Sequence, residues 1–579
     1  MRLQKPFARL SMLAFAAACA WPTSQAATPL PKLTPATGAP LVEDCSALLA
    51  KLSPLPNTQI TATELVKEGT LTVGGQAIAE HCRVAGKMHE RTSSVDGKSY
   101  AISFEMRLPK NWNGRFLHQG NGGIDGVVHP AVGGFGGGPL TNALQQGFAV
   151  LSSDAGHTGG NPSFGVDPQA RLDYGYQAVG KLTPMAKTVI TAAYGKQPDR
   201  SYFAGCSNGG RHAMVAATRY FQDYDGILAG APAYNLPRAA IANLAGARLY
   251  QTVATQEVKN HMDLATALTD KERQLVADKV VERCDALDGA KDGMVQNVAA
   301  CQQVFSLKKD VPSCTGERDG ACLSDKQKEV LSQIFAGPKT RKGQRIYASF
   351  PFDSGFGAGK SGVPAGGSPV GSGVAFWEFF ASTNLDSGAT GIIFKVPPES
   401  PENFKSVAFS LTTDLDALFS GIYASNDVYK EAAMSFMTPP NPTDMKGLRN
   451  KGGKIIVYHG VSDSIFSIHD SEAWLRGVQK NTGKDFAKLY PIPGMGHCSG
   501  GPATDQMDIL TPLVKWVEEG VAPEAIVASA RGAGNVGGAN PDLPTTWDAA
   551  RTRPLCPFPH VARYKGSGDL EKADNFSCK

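Results

Sequence analysis

The sequence predicts an α/β protein, a mainly parallel sheet covered by helices on both faces and interrupted by one large insertion. Three observations predict it. Apolar strand-like runs alternate with helical patterns from about residue 76 to 237, and again after about 450. Between a strand-like run, Ser201–Ala204, and a helix-like run, Gly210–Ala217, lies Gly205-Cys206-Ser207-Asn208-Gly209, a G-x-S-x-G turn. Between Pro237 and about 440 the strand rhythm stops, and Ser354–Gly373 is rich in Gly, Ser and Pro, a composition that builds no parallel sheet.

In chain order, Arg2, Lys5 and Arg9 precede an apolar stretch from Leu10 to Trp21, and Ser24-Gln25-Ala26 reads as a small-residue cleavage site. Residues 1–27 are therefore expected to be a signal peptide. Ala17-Ala18-Cys19 offers a second route out of the cytoplasm, lipoprotein processing with Cys19 as the anchored residue. Residues 28–75 are Pro- and Thr-rich, with a helix around Cys45–Leu49. Tyr100–Leu108 alternates in and out with the period of a half-buried strand. Arg115–Gln119 and Phe148–Ser153 are further strands, a helical pattern covers about 175–194, and Asp225–Ala231 is a strand after the G-x-S-x-G helix. Gly453–Gly460 and Ala487–Ile492 restore the rhythm, and a helix over 509–518 closes the core. The expected domains are a first core segment, 28–237, a lid, 238–442, and a second core segment, 443–579.

The composition is that of an ordinary globular protein, 42% hydrophobic and 19% charged over 579 residues. A net charge of +4 is too slight to argue for nucleic acid as a partner, and no second apolar run is long enough to span a membrane. The expected state is a monomer or weak oligomer, secreted or periplasmic. Of 11 cysteines, Cys19 lies in the leader and an even number remains, as an oxidising compartment favours. The spacings suggest local pairs, Cys45 with Cys82, Cys284 with Cys301, Cys314 with Cys322 and Cys556 with Cys578. Cys206 and Cys498 are left, each beside a residue with candidate chemistry. A bond between them would staple that chemistry together, though connectivity is not readable from sequence.

The chemistry starts at Ser207. A sharp turn between strand and helix lifts such a serine toward a ligand, near the positive end of the helix. A serine nucleophile needs a base, and the base needs an orienting acid. In the order Ser, acid, His, the best base is His497, in Pro493-Gly494-Met495-Gly496-His497-Cys498, with His459 and His469 as rivals. The best acid is Asp463, in the turn after the strand ending near Gly460; Asp470 fits less well and Asp154 reads as structural. The backbone N–H of Asn208 and one from Gly120-Asn121-Gly122-Gly123, with Gly120 favoured, are expected to form an oxyanion hole. Phe376, Trp377, Phe379 and Phe380 are candidates to stack on an aromatic acyl group. Asp285, Asp288 and Asp292, with Gly289 and Gly293 in one tight loop, make a set of hard oxygen donors suited to Ca²⁺. No organic cofactor is expected.

Together, the motifs around Ser207, Cys284–Gly289, Tyr458–Asp463 and Pro493–Pro502, with Ala550–Pro557 and Arg563–Gly568, resemble the tannase/feruloyl esterase family of α/β-hydrolases over roughly residues 40–579. The resemblance implies Ser207, Asp463 and His497 as a triad and a Cys206–Cys498 disulfide. It implies Ca²⁺ held by the side chains of Asp285, Asp288 and Asp292 and the carbonyls of Ala290 and Met294. It implies hydrolysis of small esters of aromatic acids such as gallate, ferulate or terephthalate, with His459 and Phe466 at pocket positions. The chain departs from members that hydrolyse mono(2-hydroxyethyl) terephthalate at two points. Those members grip the free carboxylate with a lid arginine, and here no arginine occurs between Arg345 and Arg449, leaving Lys395 or Lys360 as weaker point charges. Asn208 also stands where those members carry an acidic residue. The expected activity is therefore a serine carboxylesterase for hydroxycinnamic, gallic or related esters. Terephthalate monoester hydrolysis and a general lipase or esterase on the same scaffold are the alternatives.

Overall fold

A computed structural model describes residues 31–134, 140–359 and 373–579. The expected signal peptide at 1–27, with Cys19, and Lys360 lie outside the described residues. The main sheet is built on nine strands: β1 (Thr58–Val66), β2 (His81–Thr92), β3 (Ser99–Pro109), β4 (Arg115–Gly120), β5 (Ala149–Ser153), β6 (Arg200–Cys206), β7 (Gly226–Gly230), β8 (Lys454–Gly460) and β9 (Ala487–Ile492). They form one sheet in the order β9-β8-β7-β6-β4-β5-β3-β2-β1. From β5 to β9 all neighbours pair in parallel, whereas β1, β2 and β3 join antiparallel at the other edge.

The central strands are apolar on both faces because both faces are covered. Phe116, Phe203, Ile227, Ala229, Ile455 and Val457 enter one core, which the helices α1 (Ala178–Tyr194), α2 (Asn208–Arg219) and α6 (Ile468–Asn481) cap. Their neighbours Leu117, Tyr202, Leu228, Ile456 and Tyr458 enter the other, closed by Leu510, Leu513 and Trp516 of α7 (Leu510–Glu519). The alternation is the two-residue period of a strand.

One strand is absent from the sequence reading. β1 falls in the stretch read as Pro- and Thr-rich, and it is an edge strand with a bulge between Ile60 and Ala62. Its face toward solvent needs no apolar residues, so Thr58-Gln59-Ile60-Thr61-Ala62-Thr63 carries little hydrophobic signal. Conversely, the described residues from 231 to 453 add no strand to the sheet, as the change of pattern after Pro237 predicts. This region holds α3 (Leu236–Gln251), α4 (Asp270–Cys284) and α5 (Gly373–Phe380). Leu236, Ile241, Leu244, Ile393 and Phe394 share a core with Ile465 and Phe466, two residues just past Asp463. The inserted region is thereby packed against one end of the sheet.

Candidate active site

Parallel strands end on the same edge, and that edge collects the candidate residues. Ser207 follows β6, the Gly120–Gly123 loop follows β4, Asp463 follows β8 and His497 follows β9. Ser207 has φ 64° and ψ −128°, a conformation that L residues avoid. It is held because its N–H donates to the Gly230 carbonyl at 3.0 Å and its own carbonyl starts α2 through Arg211 N, also at 3.0 Å. Glycine is required at 209, where a Cβ would sit 2.2 Å from the Gly120 carbonyl oxygen. That close approach presses α2 against β4 and leaves Ser207 proud of the turn.

His497 Nε2 lies 2.8 Å from Ser207 Oγ, and Nδ1 lies 2.7 Å from Asp463 Oδ2. In the tautomer that satisfies both contacts, Ser207 Oγ–H donates to Nε2 and Nδ1–H donates to the carboxylate. Asp463 Oδ1 accepts from the N–H groups of Ile465 at 2.9 Å and Phe466 at 3.0 Å. Burial alone would raise the Asp463 carboxyl, but the charge of His497 and the contacts of both His497 and His459 hold it well below the ordinary carboxylate range. Asp463 is thus an anion aimed at the imidazole.

The other predicted residues separate. Phe466 lines the cleft, with its ring 5.3 Å from that of His497. His459 does not line it. Its Nε2 donates to the Phe466 carbonyl at 2.9 Å and stands 3.4 Å from Asp463 Oδ2, so it buttresses the acid from behind. Phe379 does not line it either, being fully buried edge-on against Tyr250. Two positions along a helix turn the side chain by about 200°, so Trp377 takes the cleft face of α5 instead, 5.6 Å from the His497 ring. His469 is occupied with the Ser349 carbonyl at 3.0 Å, and Asp154 accepts from Ser103 and Gly156 N–H groups as a structural acid. Gly120 abuts Gly209, whereas a Cβ on Gly122 would lie 3.9 Å from the Ser207 Cβ and Gly123 lines the cleft. The glycines nearest the serine are therefore two or three residues beyond Gly120.

Sequence reasoning missed the support under Asn208. Its Nδ2 donates to Asp125 Oδ2 at 2.6 Å, Arg211 Nε donates to its Oδ1 at 2.6 Å, and His212 Nε2 stands 2.9 Å from the same Asp125 oxygen. The side chain is fully engaged, and this fixes the direction of the Asn208 backbone N–H. Asp386, on the cleft wall, was also missed, since Asn-Leu-Asp-Ser-Gly carries no motif.

All five cysteine pairs form: Cys45–Cys82, Cys206–Cys498, Cys284–Cys301, Cys314–Cys322 and Cys556–Cys578. Cys206–Cys498 joins the residue before Ser207 to the residue after His497, with Cα atoms 6.1 Å apart and a sequence separation of 292. Replacing both by alanine should cost about 2–5 kcal/mol of stability. It should also lower kcat by at least about tenfold, since an ångström-scale displacement of base from nucleophile is expensive. Calorimetry and steady-state kinetics check this; a variant equal to wild type in both would show the staple to be idle.

In the aspartate loop, Asp285 Oδ1 accepts from Asp292 N and Gly293 N, each at 3.1 Å, and Asp288 Oδ1 accepts from Ala290 N at 2.9 Å. Asp292 Oδ1 accepts from Met294 N at 3.1 Å, while its Oδ2 pairs with the buried Arg553. Among the described residues, no three His, Cys, Asp or Glu side chains stand together as a ready metal cage. Asp288 Oδ2, however, is buried with no hydrogen-bond partner.

Ser207 and His497 open into a cleft of about 500 Å³ walled by Trp377, Phe394, Ile465 and Phe466. A hydroxyl, an imidazole and a buried carboxylate in series at the edge of such a sheet are the equipment of a hydrolase that acts on acyl groups. The chain belongs to the tannase and feruloyl esterase family, whose model matches residues 82–579, and it is a carboxylic ester hydrolase. It is 37% identical over 539 residues to the mono(2-hydroxyethyl) terephthalate hydrolase of Piscinibacter sakaiensis, covering 88% of this chain and 86% of that one. It is 26% identical to a probable feruloyl esterase B-2 of Neosartorya fischeri, over 90% and 93% of the two chains. In fold it matches feruloyl esterase B from Aspergillus oryzae with a TM-score of 0.71 at 24% identity, over 92% of this chain and 99% of that one.

Proposed function

We propose that this enzyme is a secreted serine carboxylesterase of α/β-hydrolase fold that cleaves esters of aromatic acids. The observation that carries the reading is the hydrogen-bonded series Ser207–His497–Asp463 at the base of an aromatic-walled cleft. His497 Nε2 takes the Ser207 proton as Oγ attacks the ester carbonyl. The N–H of Asn208, and one from the Gly122–Gly123 turn rather than Gly120, stabilise the oxyanion. His497 returns the proton to the departing alcohol, and water then releases the acid by the reverse use of the same groups. Residues 238–442 act as the lid that supplies Trp377 and Phe394 and excludes water. Export rests on the leader at 1–27 and fits the five disulfides. Among the described residues no helix is long and apolar enough to cross a membrane.

The relative named for terephthalate monoester hydrolysis supports a second reading. The charge at the cleft argues against it as the main activity. Lys395 Nζ is held by the Pro397 carbonyl and Glu399 Oε1, both at 2.8 Å, so it is not poised as a carboxylate clamp. Initial rates on methyl gallate, methyl ferulate, mono(2-hydroxyethyl) terephthalate and a 4-nitrophenyl alkanoate decide it. Faster turnover of gallate or ferulate is expected; a terephthalate preference would reverse the assignment, and an alkanoate preference would make the enzyme a general esterase.

A structural Ca²⁺ in the aspartate loop belongs to the same proposal. Asp285, Asp288 and Asp292 with the carbonyls of Ala290 and Met294 would hold it, and the orphaned Asp288 oxygen supports the fit. The ion would offset the charge of Asp285 and Asp288, since Asp292 already pairs with Arg553, and brace the loop beside Cys284–Cys301. Chelation should lower the melting midpoint by several degrees, with about 3 kcal/mol at stake where free Ca²⁺ is a hundredfold above Kd. Added Ca²⁺ should restore it. An unchanged midpoint would remove the ion from the fold.

A further inference from the structure

The cleft wall carries a carboxyl group that acyl transfer does not use. Asp386 is only 6% exposed, yet it lines the cleft with Trp377, Phe394 and Phe466. Asn243 Nδ2, from α3, donates to its Oδ2 at 2.8 Å. Oδ1 accepts no hydrogen bond from any described residue, and no described cation pairs with the side chain. Burial pushes the carboxyl up to about 7, against the Asn243 hydrogen bond and the charge of His497, so the group is an anionic acceptor above that pH.

Oδ1 opens on the cleft, where solvent completes it until a ligand group takes that place. The missing partner is a donor. The surrounding rings select a flat aromatic group, and the donor that such a group carries in its own plane is a phenolic hydroxyl. An anion on the ring would meet repulsion here, with no described arginine or free lysine at the wall to offset it. We propose that Asp386 determines acyl specificity by accepting a hydrogen bond from a phenolic hydroxyl, favouring hydroxylated aromatic esters over unsubstituted ones and disfavouring rings that bear a free carboxylate. The proposal rests on the aromatic-ester reading above and assigns Asn243 as the residue that positions the carboxyl.

The test uses matched esters, methyl caffeate against methyl cinnamate and methyl gallate against methyl benzoate, with wild type, D386N and D386L, at about pH 8, where the raised Asp386 carboxyl is ionised. The readout is the ratio of kcat/KM within each pair. Because both substrates meet the same preparation, any unfolded fraction cancels. Wild type should favour the hydroxylated member of at least one pair by about 10- to 100-fold, the span of one hydrogen bond to a charged acceptor. D386L should reduce that ratio to within about threefold of unity. D386N keeps an acceptor oxygen and should retain part of the preference, while its rate on mono(2-hydroxyethyl) terephthalate relative to methyl cinnamate rises with the loss of negative charge. An equal ratio in D386L and wild type, or no preference in wild type, overturns the assignment while leaving aromatic esterase activity intact. Hydrolysis of 4-nitrophenyl alkanoates with no turnover of any of the four aromatic esters overturns the aromatic-ester reading, and this inference with it.

Discussion

Ser207→Ala should reduce kcat for ester hydrolysis by about 10⁴-fold or more, with the melting midpoint within a few degrees of wild type. The loss is expected to be large because Oγ is the atom that forms the acyl-enzyme in the proposed mechanism, and no other described hydroxyl bonds to His497 Nε2. What survives would be the effect of the oxyanion donors and binding on attack by water. The fold should be nearly indifferent. Alanine keeps the strained φ of 64°, and the hydrogen bonds that hold the turn run through the backbone of residue 207 to Gly230 and Arg211. Single-turnover kinetics with an organophosphonate provides the check, since wild type should be labelled stoichiometrically and the variant not at all. A variant that keeps several per cent of wild-type activity would move the nucleophile elsewhere.

Asp463→Asn should lower kcat by about 10³- to 10⁴-fold while preserving the shape of the site. The direction follows from the two oxygens. Oδ1 accepts from the Ile465 and Phe466 N–H groups, so an asparagine places its carbonyl there. Its amide NH₂ then faces His497 Nδ1, which must become the acceptor. The proton moves to Nε2, and the imidazole can no longer accept from Ser207. The same substitution has a signature in acid. The carboxyl is depressed below its ordinary 3.8, burial opposing and the two histidines prevailing. Its ionised form therefore stabilises the fold fully above pH 3.8, and that share fades as pH falls further. Melting midpoints from pH 6 down to 3 should fall less steeply in Asp463→Asn than in wild type. Parallel curves would show that the carboxylate is not preferentially stabilised in the fold.

Much of this was legible along the chain because it is local. A nucleophile elbow is a strand, a tight turn and a helix within twenty residues, and its glycines are dictated by contacts such as Gly209 against Gly120. β8 and β9 are continuous apolar runs because both of their faces are covered, and the turns after them carry Asp463 and His497. β1 was not legible, since an edge strand with one wet face has weak patterning.

The sequence by itself determined the α/β class, the chain order of the candidate nucleophile, acid and base, and the local cysteine pairs, since each depends on short-range patterning or on chain order. Tertiary structure decided which side chains share the cleft. Trp377 rather than Phe379 faces it, because the helix face is set by packing against Tyr250. His459 stands behind Asp463 rather than before it, because its ring is tied to Phe466 and Ser471. Asp386 meets the site from 179 residues beyond Ser207 because α3 presents Asn243 to it. Such contacts join residues far apart in sequence, and their directions follow from how helices pack, which no local pattern encodes.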